Sequence, residues 1–240
     1  MTINDLGLNK QQSEIIRSAL QTAVSFARVV PNKVYVCDVQ HSLFVQIPSM
    51  ADASLDVLSM SVLSNLNTMD MVIEEDRPLY KEIEAGVLKL QTTLPREVSG
   101  SAIISYSIRS IRDGITDLLT HTATPLALDD KGRVWLVLSL LSPSVDKKPG
   151  RFICRADGML LEYDYVQHEW NNVRMKDYQL SANERQMLVY SARGHTLEEI
   201  SVLMHRSVDT IKLYRRRIFN KLGANNITEA YAYALKYKLL

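Results

Sequence analysis

Apolar residues in the first half of the chain follow two different periods. Between 11 and 29, Ile15, Ile16, Ala19, Leu20, Ala23, Val24 and Ala27 recur at three- and four-residue spacings, which predicts an amphipathic helix that Pro31 terminates. Val34 to Val39 and Leu43 to Ile47 are β-branched and aromatic runs parted by the polar break Gln40-His41-Ser42, and they predict a hairpin. Helical spacing returns from about Leu55 to Leu90, interrupted by Glu74-Glu75-Asp76-Arg77-Pro78, where Pro78 suits the first turn of a new helix. Three more strands follow, Ile103 to Ile108, Ile115 to Ala127 and Val134 to Leu140, separated by the turn formers Arg112-Asp113-Gly114 and Asp130-Lys131-Gly132.

Turn formers and charge concentrate between apolar blocks at Ser142-Pro143-Ser144 and Asp146-Lys147-Lys148-Pro149-Gly150, which marks the expected domain boundary. Residues 1–150 are expected as one domain, 151–178 as a hairpin and linker, and 179–240 as a second domain. The hairpin joins Arg151 to Cys154 with Met159 to Tyr165 through Ala156-Asp157-Gly158. It has three places to go: against the first domain, against the second, or into a dimer contact. Its residues do not choose among them.

Beyond Leu180 the spacing is helical throughout. Ser181 with Glu184 forms a capping box, and the helix it opens presents Met187, Leu188 and Ser191 on one side before Gly194 ends it. Thr196 with Glu199 is a second capping box, starting a short helix whose Leu197, Ile200, Leu203 and Met204 are expected to face the core. His205-Arg206 makes the turn, and Ser207 caps a third helix with Val208, Ile211, Ile218 and Leu222 at helical spacing, closed by Gly223. A short scaffold helix, a tight turn and a longer cationic helix is the plan of a helix-turn-helix. Lys212, Arg215, Arg216 and Lys221 are expected on the face away from Val208, Ile211 and Ile218, with Arg217 toward its edge. Such a surface neutralises phosphates, and its arginines can pair bidentately with guanine.

Charge sharpens this picture. Residues 180–240 carry ten Lys+Arg against five Asp+Glu, a net of +5, whereas residues 1–179 carry 18 against 22, a net of −4. Only the C-terminal part is therefore built to approach phosphate. With 46% apolar and 23% charged residues, the chain has the composition of an ordinary folded protein of two domains. It lacks an apolar run long enough to cross a bilayer and begins MTINDLGLNKQQSE, so a cytoplasmic protein without membrane contact is expected. Cys37 and Cys154 have no CxxC partner and are expected as reduced, packed thiols.

Residues 179–240 resemble the LuxR-type helix-turn-helix at Leu180-Ser181, Glu184, Leu188, Gly194, Glu199-Ile200, Ser207, Thr210-Ile211-Lys212 and Lys221-Leu222. The resemblance implies four helices, the third reading double-stranded DNA and the fourth, from Thr228, supporting a homodimer. Carried over by position, Lys212, Leu213 and Arg216 would reach base edges, while Thr196, Thr210, Tyr214, Arg215 and Lys221 would favour phosphates. Ser207 and Arg217 complete the expected DNA-binding set. The chain departs from the family pattern at Tyr214, usually His, and at Asn183, often Arg, where a structural ion pair is at stake.

Two strands, a helical middle and three antiparallel strands over about 20–142 resemble the PAS sensor fold. The likeness rests on the strands around Asp38 and Phe44, the acidic turn with Asp76, and the spacing from Arg112-Asp113-Gly114 through Pro125 to Asp130-Lys131-Gly132-Arg133. The expected fold class is thus α+β, a PAS-like antiparallel sheet with flanking helices joined to an all-α four-helix domain; an unrelated α+β domain of similar strand order is the competitor. The resemblance implies a sensing role whose partner is a small molecule, another protein or a second copy of the chain.

Other function classes fit less well. A phosphoacceptor domain would alternate β and α elements, which this chain does not, and the pocket signature of an acyl-homoserine-lactone sensor is not evident. His41, His121 and His168 have no metal-ligand spacing, Cys37 lacks the neighbours of a flavin-reactive cysteine, and no cofactor is implied. The acidic runs Glu74-Glu75-Asp76 and Asp129-Asp130 come without GxSxG, P-loop or HExxH, so no enzyme is expected. A protein-interaction module using the helix-turn-helix without DNA would carry neutral residues at 212–217, where cations stand instead. A sigma-factor helix-turn-helix would need a preceding promoter-core domain.

Overall fold

The computed structural model describes residues 2–41, 43–48, 56–64, 68–112, 114–173, 179–237 and 239–240. Contacts divide the chain into two units, Met1–Val173 and Arg174–Leu240. The expected turn residues Ser42 and Asp113, the expected helix start at Leu55 and the polar run 174–178 lie outside the described residues.

In the first unit, Asn9 and Gln12 form a capping box that opens helix α1, Lys10–Ala27, which buries Ile16, Ala19, Leu20, Ala23, Val24 and Ala27 along one stripe. Strands β1, Lys33–Asp38, and β2, Leu43–Ile47, pair antiparallel with Val36 opposite Val45. Where helical spacing predicts a helix from about Leu55, the described residues 57–64 and 68–76 hold 3-10 turns at Val57–Ser59, Thr68–Met71 and Glu74–Asp76 and a two-residue strand, β3, Leu63–Ser64. Tertiary burial of Val57, Leu58, Val62 and Val72 accounts for the apolar positions there without a continuous helix. Helix α2, Arg77–Thr93, starts with Pro78 in its first turn, as its fixed φ favours, and is followed by the one-turn α3, Arg96–Ser99.

Strands β4, Ile103–Arg112, β5, Ile115–Leu128, and β6, Val134–Pro143, form the antiparallel run expected from the alternation. β6 then pairs with β1, Val36 opposite Leu138, and so brings the two ends of this segment together. Across β2, β1, β6, β5 and β4 the unit has the expected antiparallel sheet with flanking helices. Residues 144–151 carry the chain across to the free edge of β4, with Ser144 N–H donating to Leu118 O and Gly150 N–H to Ser107 O. There β7, Phe152–Ala156, pairs with β4, and β8, Met159–Asp164, and β9, Glu169–Asn172, continue the sheet. The order is β3-β2-β1-β6-β5-β4-β7-β8-β9.

The helices cover opposite faces at opposite ends of this sheet. α1 packs on Val34, Val36, Leu136 and Leu138, while α2 places Tyr80 and Ile83 against Ile108, Phe152 and Tyr163. Asp76, at the start of α2, is fastened to β4: its carboxylate accepts from Arg109 backbone N–H at 3.0 Å and from the Arg109 guanidinium. Burial opposes the charge, but these Arg109 contacts hold the Asp76 carboxyl below its ordinary range.

Gly86 shows how close α2 lies to the sheet. A Cβ there would stand 2.7 Å from Phe152 Cε1 and 3.0 Å from Tyr163 Cε2, and Trp170 Nε1 donates to the Gly86 carbonyl at 2.9 Å. Gly86→Val is therefore expected to lower the stability of this unit by about 2 kcal/mol through overpacking. The check is the urea midpoint of tryptophan fluorescence, since both tryptophans, Trp135 and Trp170, lie in this unit. An unchanged midpoint would mean that α2 sits farther from Phe152.

Candidate nucleic-acid interface

The second unit consists of α4, Ala182–Ala192, α5, Leu197–Leu203, α6, Val208–Leu222, and α7, Ile227–Lys236. Every helix start is tied by a side chain. Ser181 and Glu184 form the expected capping box on α4, Thr196 and Glu199 that on α5, and the side chains of Ser207 and Asn226 accept from Thr210 N–H and Glu229 N–H. His205 turns the chain between α5 and α6 with φ 50°, and Gly223 ends α6 with φ 64°. Met187, Leu188, Ile200, Ile211 and Ile218 are fully buried and form the core against which α6 is seated. Leu203, expected to face that core, is 45% exposed: α5 is too short to bury more than the stripe through Ile200.

On α6 the core stripe is Ile211, Ile218 and Leu222, and the opposite side presents exposed Lys212, Arg216 and Arg217 with half-buried Leu213 between them. Arg215 and Lys221 are not on that outer side. At about 100° per residue, each falls beside the core stripe, on opposite flanks. Arg215 lies over the Phe219 ring, 5.3 Å from its centroid. Lys221 Nζ donates to Glu184 Oε2 at 2.7 Å and to Gln179 O at 3.0 Å, fastening the end of α6 to the start of α4. Burial works against the Glu184 charge, but Lys221 and the Ser181 N–H hold its carboxyl below the usual glutamate value. Lys221, expected to favour phosphate, thus forms an ion pair with Glu184 between α6 and α4.

Of the remaining expected residues, Ser207 and Thr210 lie at the α6 start and Thr196 caps α5. Thr210 shares a 2.9 Å hydroxyl contact with Ser207, Thr196 Oγ1 accepts from Glu199 N–H, and Lys212 stands 3.6 Å from Asp209 across the exposed surface. The two departures from the family pattern meet each other: Asn183 Nδ2 donates to Tyr214 Oη at 3.3 Å.

Residues 178–234 match the family described as bacterial regulatory proteins, luxR family. Residues 178–234 are a LuxR-type helix-turn-helix domain. Within it, 59 residues are 39% identical to the transcriptional activator protein PhzR of Pseudomonas fluorescens, a match spanning 25% of this chain and 24% of that protein. Among solved structures, a phage VqmA in complex with DPO is 16% identical over 93% of this chain and 91% of its own, with a TM-score of 0.33. The Vibrio cholerae VqmA dimer without target DNA is 14% identical over 97% of this chain and 89% of its own, with a TM-score of 0.27.

The first unit holds a second feature, a cavity of about 1670 Å³ on the α2 face of the sheet. Alternation along the strands creates it. Val34, Val36 and Leu138 go to α1, so Tyr35, Cys37 and Ser139 line the other face, which α2 covers only beyond β5. Tyr106 and His121, opposite each other on β4 and β5, stack at 4.9 Å and 13° in its wall. Sequence alone marks His121 only as a histidine without metal-ligand spacing; the further signal is a polar residue in phase with the inward positions of β5. Burial pushes the Cys37 thiol up to about 11, so it is protonated at neutral pH. Among the described residues, no group of His, Cys, Asp and Glu has the arrangement of a metal site.

In the LuxR-type domain, Lys221→Met leaves Glu184 buried without its cation and is expected to destabilise the domain by about 2 kcal/mol. Adding Glu184→Gln recovers part of that loss. Because the folded Glu184 carboxyl lies below its unfolded value of about 4.3, the pair stabilises at neutral pH. That contribution disappears as pH falls through the folded value. Urea unfolding at a series of pH values, read by hydrogen exchange in 182–222 after a pulse at one fixed pH, should show wild type and variant converging in acid. A difference independent of pH would remove the ion pair from this account.

Proposed function

We propose that this chain is a sequence-specific, DNA-binding transcriptional regulator whose PAS-like unit senses a signal or mediates dimerisation and whose α6 reads the major groove. The observation that carries this reading is the outer side of α6. Lys212, Arg216 and Arg217 project from a helix whose position is fixed by its buried stripe and by the caps of its neighbours. Lys212, Leu213 and Arg216 reach base edges, where bidentate arginine contacts discriminate guanine. Thr196, Ser207, Thr210, Tyr214, Arg215 and Arg217 serve the phosphates and set the register. Lys221 has already given two of its three N–H bonds and offers phosphate only the third.

The regulator works by binding rather than catalysis, acts in the cytoplasm, and uses a homodimer to address a two-fold symmetric site. Among the described residues, no helix is long and apolar enough to cross a membrane. The folded extent of the sensing unit is read as reaching Val173, because β7 to β9 complete its sheet.

The test begins with selection of bound genomic fragments by the full chain, followed by anisotropy titrations on the selected and a random duplex at two salt concentrations. Lys212→Ala and Arg216→Ala should each cut the preference for the selected duplex by about tenfold. Arg215→Ala should weaken both duplexes alike and reduce the salt slope by about one. Equal losses on both duplexes for all three variants would sink the assigned roles. Absence of binding to any duplex would instead make the domain a protein-interaction module.

A further inference from the structure

The flank of α6 beside the start of α4 carries four polar residues in one line. Thr210, Tyr214, Arg217 and Lys221 are spaced by four, three and four positions, which stacks them along one side of a helix. A neighbour engages three of them. Thr210 meets the Ser207 hydroxyl at 2.9 Å, Lys221 Nζ donates to Glu184 Oε2 at 2.7 Å, and Tyr214 Oη accepts from Asn183 Nδ2 at 3.3 Å.

Tyr214 differs in what its partner leaves free. Asn183 approaches with its amide nitrogen, so the hydroxyl oxygen is the acceptor, and among the described residues the Tyr214 O–H has no acceptor of its own. The tyrosine is half-buried, which holds its ring, while Asn183 is exposed on the first turn of α4. That turn is itself anchored. Glu184, the next residue, is buried, accepts from Ser181 N–H at 2.8 Å and pairs with Lys221, seven positions beyond Tyr214 on the same flank. The start of α4 and this side of α6 are therefore tied at two points, one by a buried ion pair and one by two uncharged side chains at the surface.

A surface O–H directed outward by a hydrogen bond to its own oxygen suits an anionic acceptor, because hydrogen bonds to ionised oxygens are the stronger ones. Its position beside Arg217, off the outer side that carries Lys212 and Arg216, matches a phosphate rather than a base edge. The contact brings no cation and so releases no counterion, which distinguishes it from those of the lysines and arginines.

We infer that Asn183 is a positioning residue of the DNA interface: its amide holds the Tyr214 hydroxyl so that the O–H donates to a backbone phosphate oxygen. The inference rests on reading the LuxR-type domain as DNA-binding, and it makes the two departures from the family pattern one working unit.

The test uses the full chain and its variants Tyr214→Phe, Asn183→Ala and the double variant, titrated by anisotropy on the selected and a random duplex at two salt concentrations. Circular dichroism checks that helix content is kept. Tyr214→Phe should weaken both duplexes alike by about fivefold and Asn183→Ala by about threefold, with the salt slope unchanged. Asn183→Ala should cost nothing further once Tyr214 is Phe. The proposal is overturned by an absence of loss in either single variant, by losses confined to the selected duplex, or by an Asn183 effect that persists undiminished in the double variant. Losses that come with reduced helix content would also overturn it, leaving a packing contact. If the unaltered chain binds no duplex at all, the DNA-binding reading falls first and takes this inference with it.

Discussion

The antiparallel ladder between β1 and β6 joins residues 33–38 to 136–141 and organises the whole N-terminal unit. It closes the loop that contains α2 and strands β2 to β5. It also fixes the phase of every inner strand. With Val34, Val36, Leu136 and Leu138 committed to α1, the period of two leaves Tyr35, Cys37, Val137 and Ser139 no choice but the opposite face. A slip of one residue would exchange the two sets, placing a tyrosine and a serine under α1 and the aliphatic core in the cavity. Register here decides both what holds the domain together and what the cavity presents.

The same sheet explains why the hairpin after residue 150 belongs where it does. β4 would otherwise offer an unpaired edge, and β7 pairs with it from Ile103 opposite Arg155 to Tyr106 opposite Phe152. That pairing brings Phe152 into an aromatic cluster with Tyr163 and Trp170, with ring centroids 4.5 to 5.5 Å apart, and supplies the surface on which α2 lies. α2 is thus drawn toward β4 and β7, away from β1 and β6. The cavity is the space that this displacement leaves uncovered.

In the LuxR-type domain the cations of α6 divide by geometry into different physical roles. Lys212, Arg216 and Arg217 lie on the outer side, Arg215 rests on Phe219, and Lys221 pairs with Glu184, whose side chain is only 3% exposed. A count of positive charges treats these five alike. The ion pair of Lys221 joins two helices and is part of the scaffold, whereas an outer cation contributes to stability very little and is free to meet phosphate or base.

Much of this was legible in the chain because it is local. A capping box needs two residues three apart, a helix stripe needs a period near 3.6, and a strand needs alternation; Ser181 with Glu184, Ile211 with Ile218, and the run Val34 to Asp38 carry those signals within a few residues. By these means the sequence by itself determined the α+β class, the capped helix-turn-helix and the basic character of its third helix. The apolar spacing over 57–76 misled, since long-range burial satisfies it through 3-10 turns as well as a helix would. Only the tertiary structure decided that the hairpin completes the sheet, that Lys221 is committed to Glu184, and that His121 stacks on Tyr106. Each depends on partners distant in sequence, Ile103 with Arg155 or Glu184 with Lys221, and no local period records which distant residues meet.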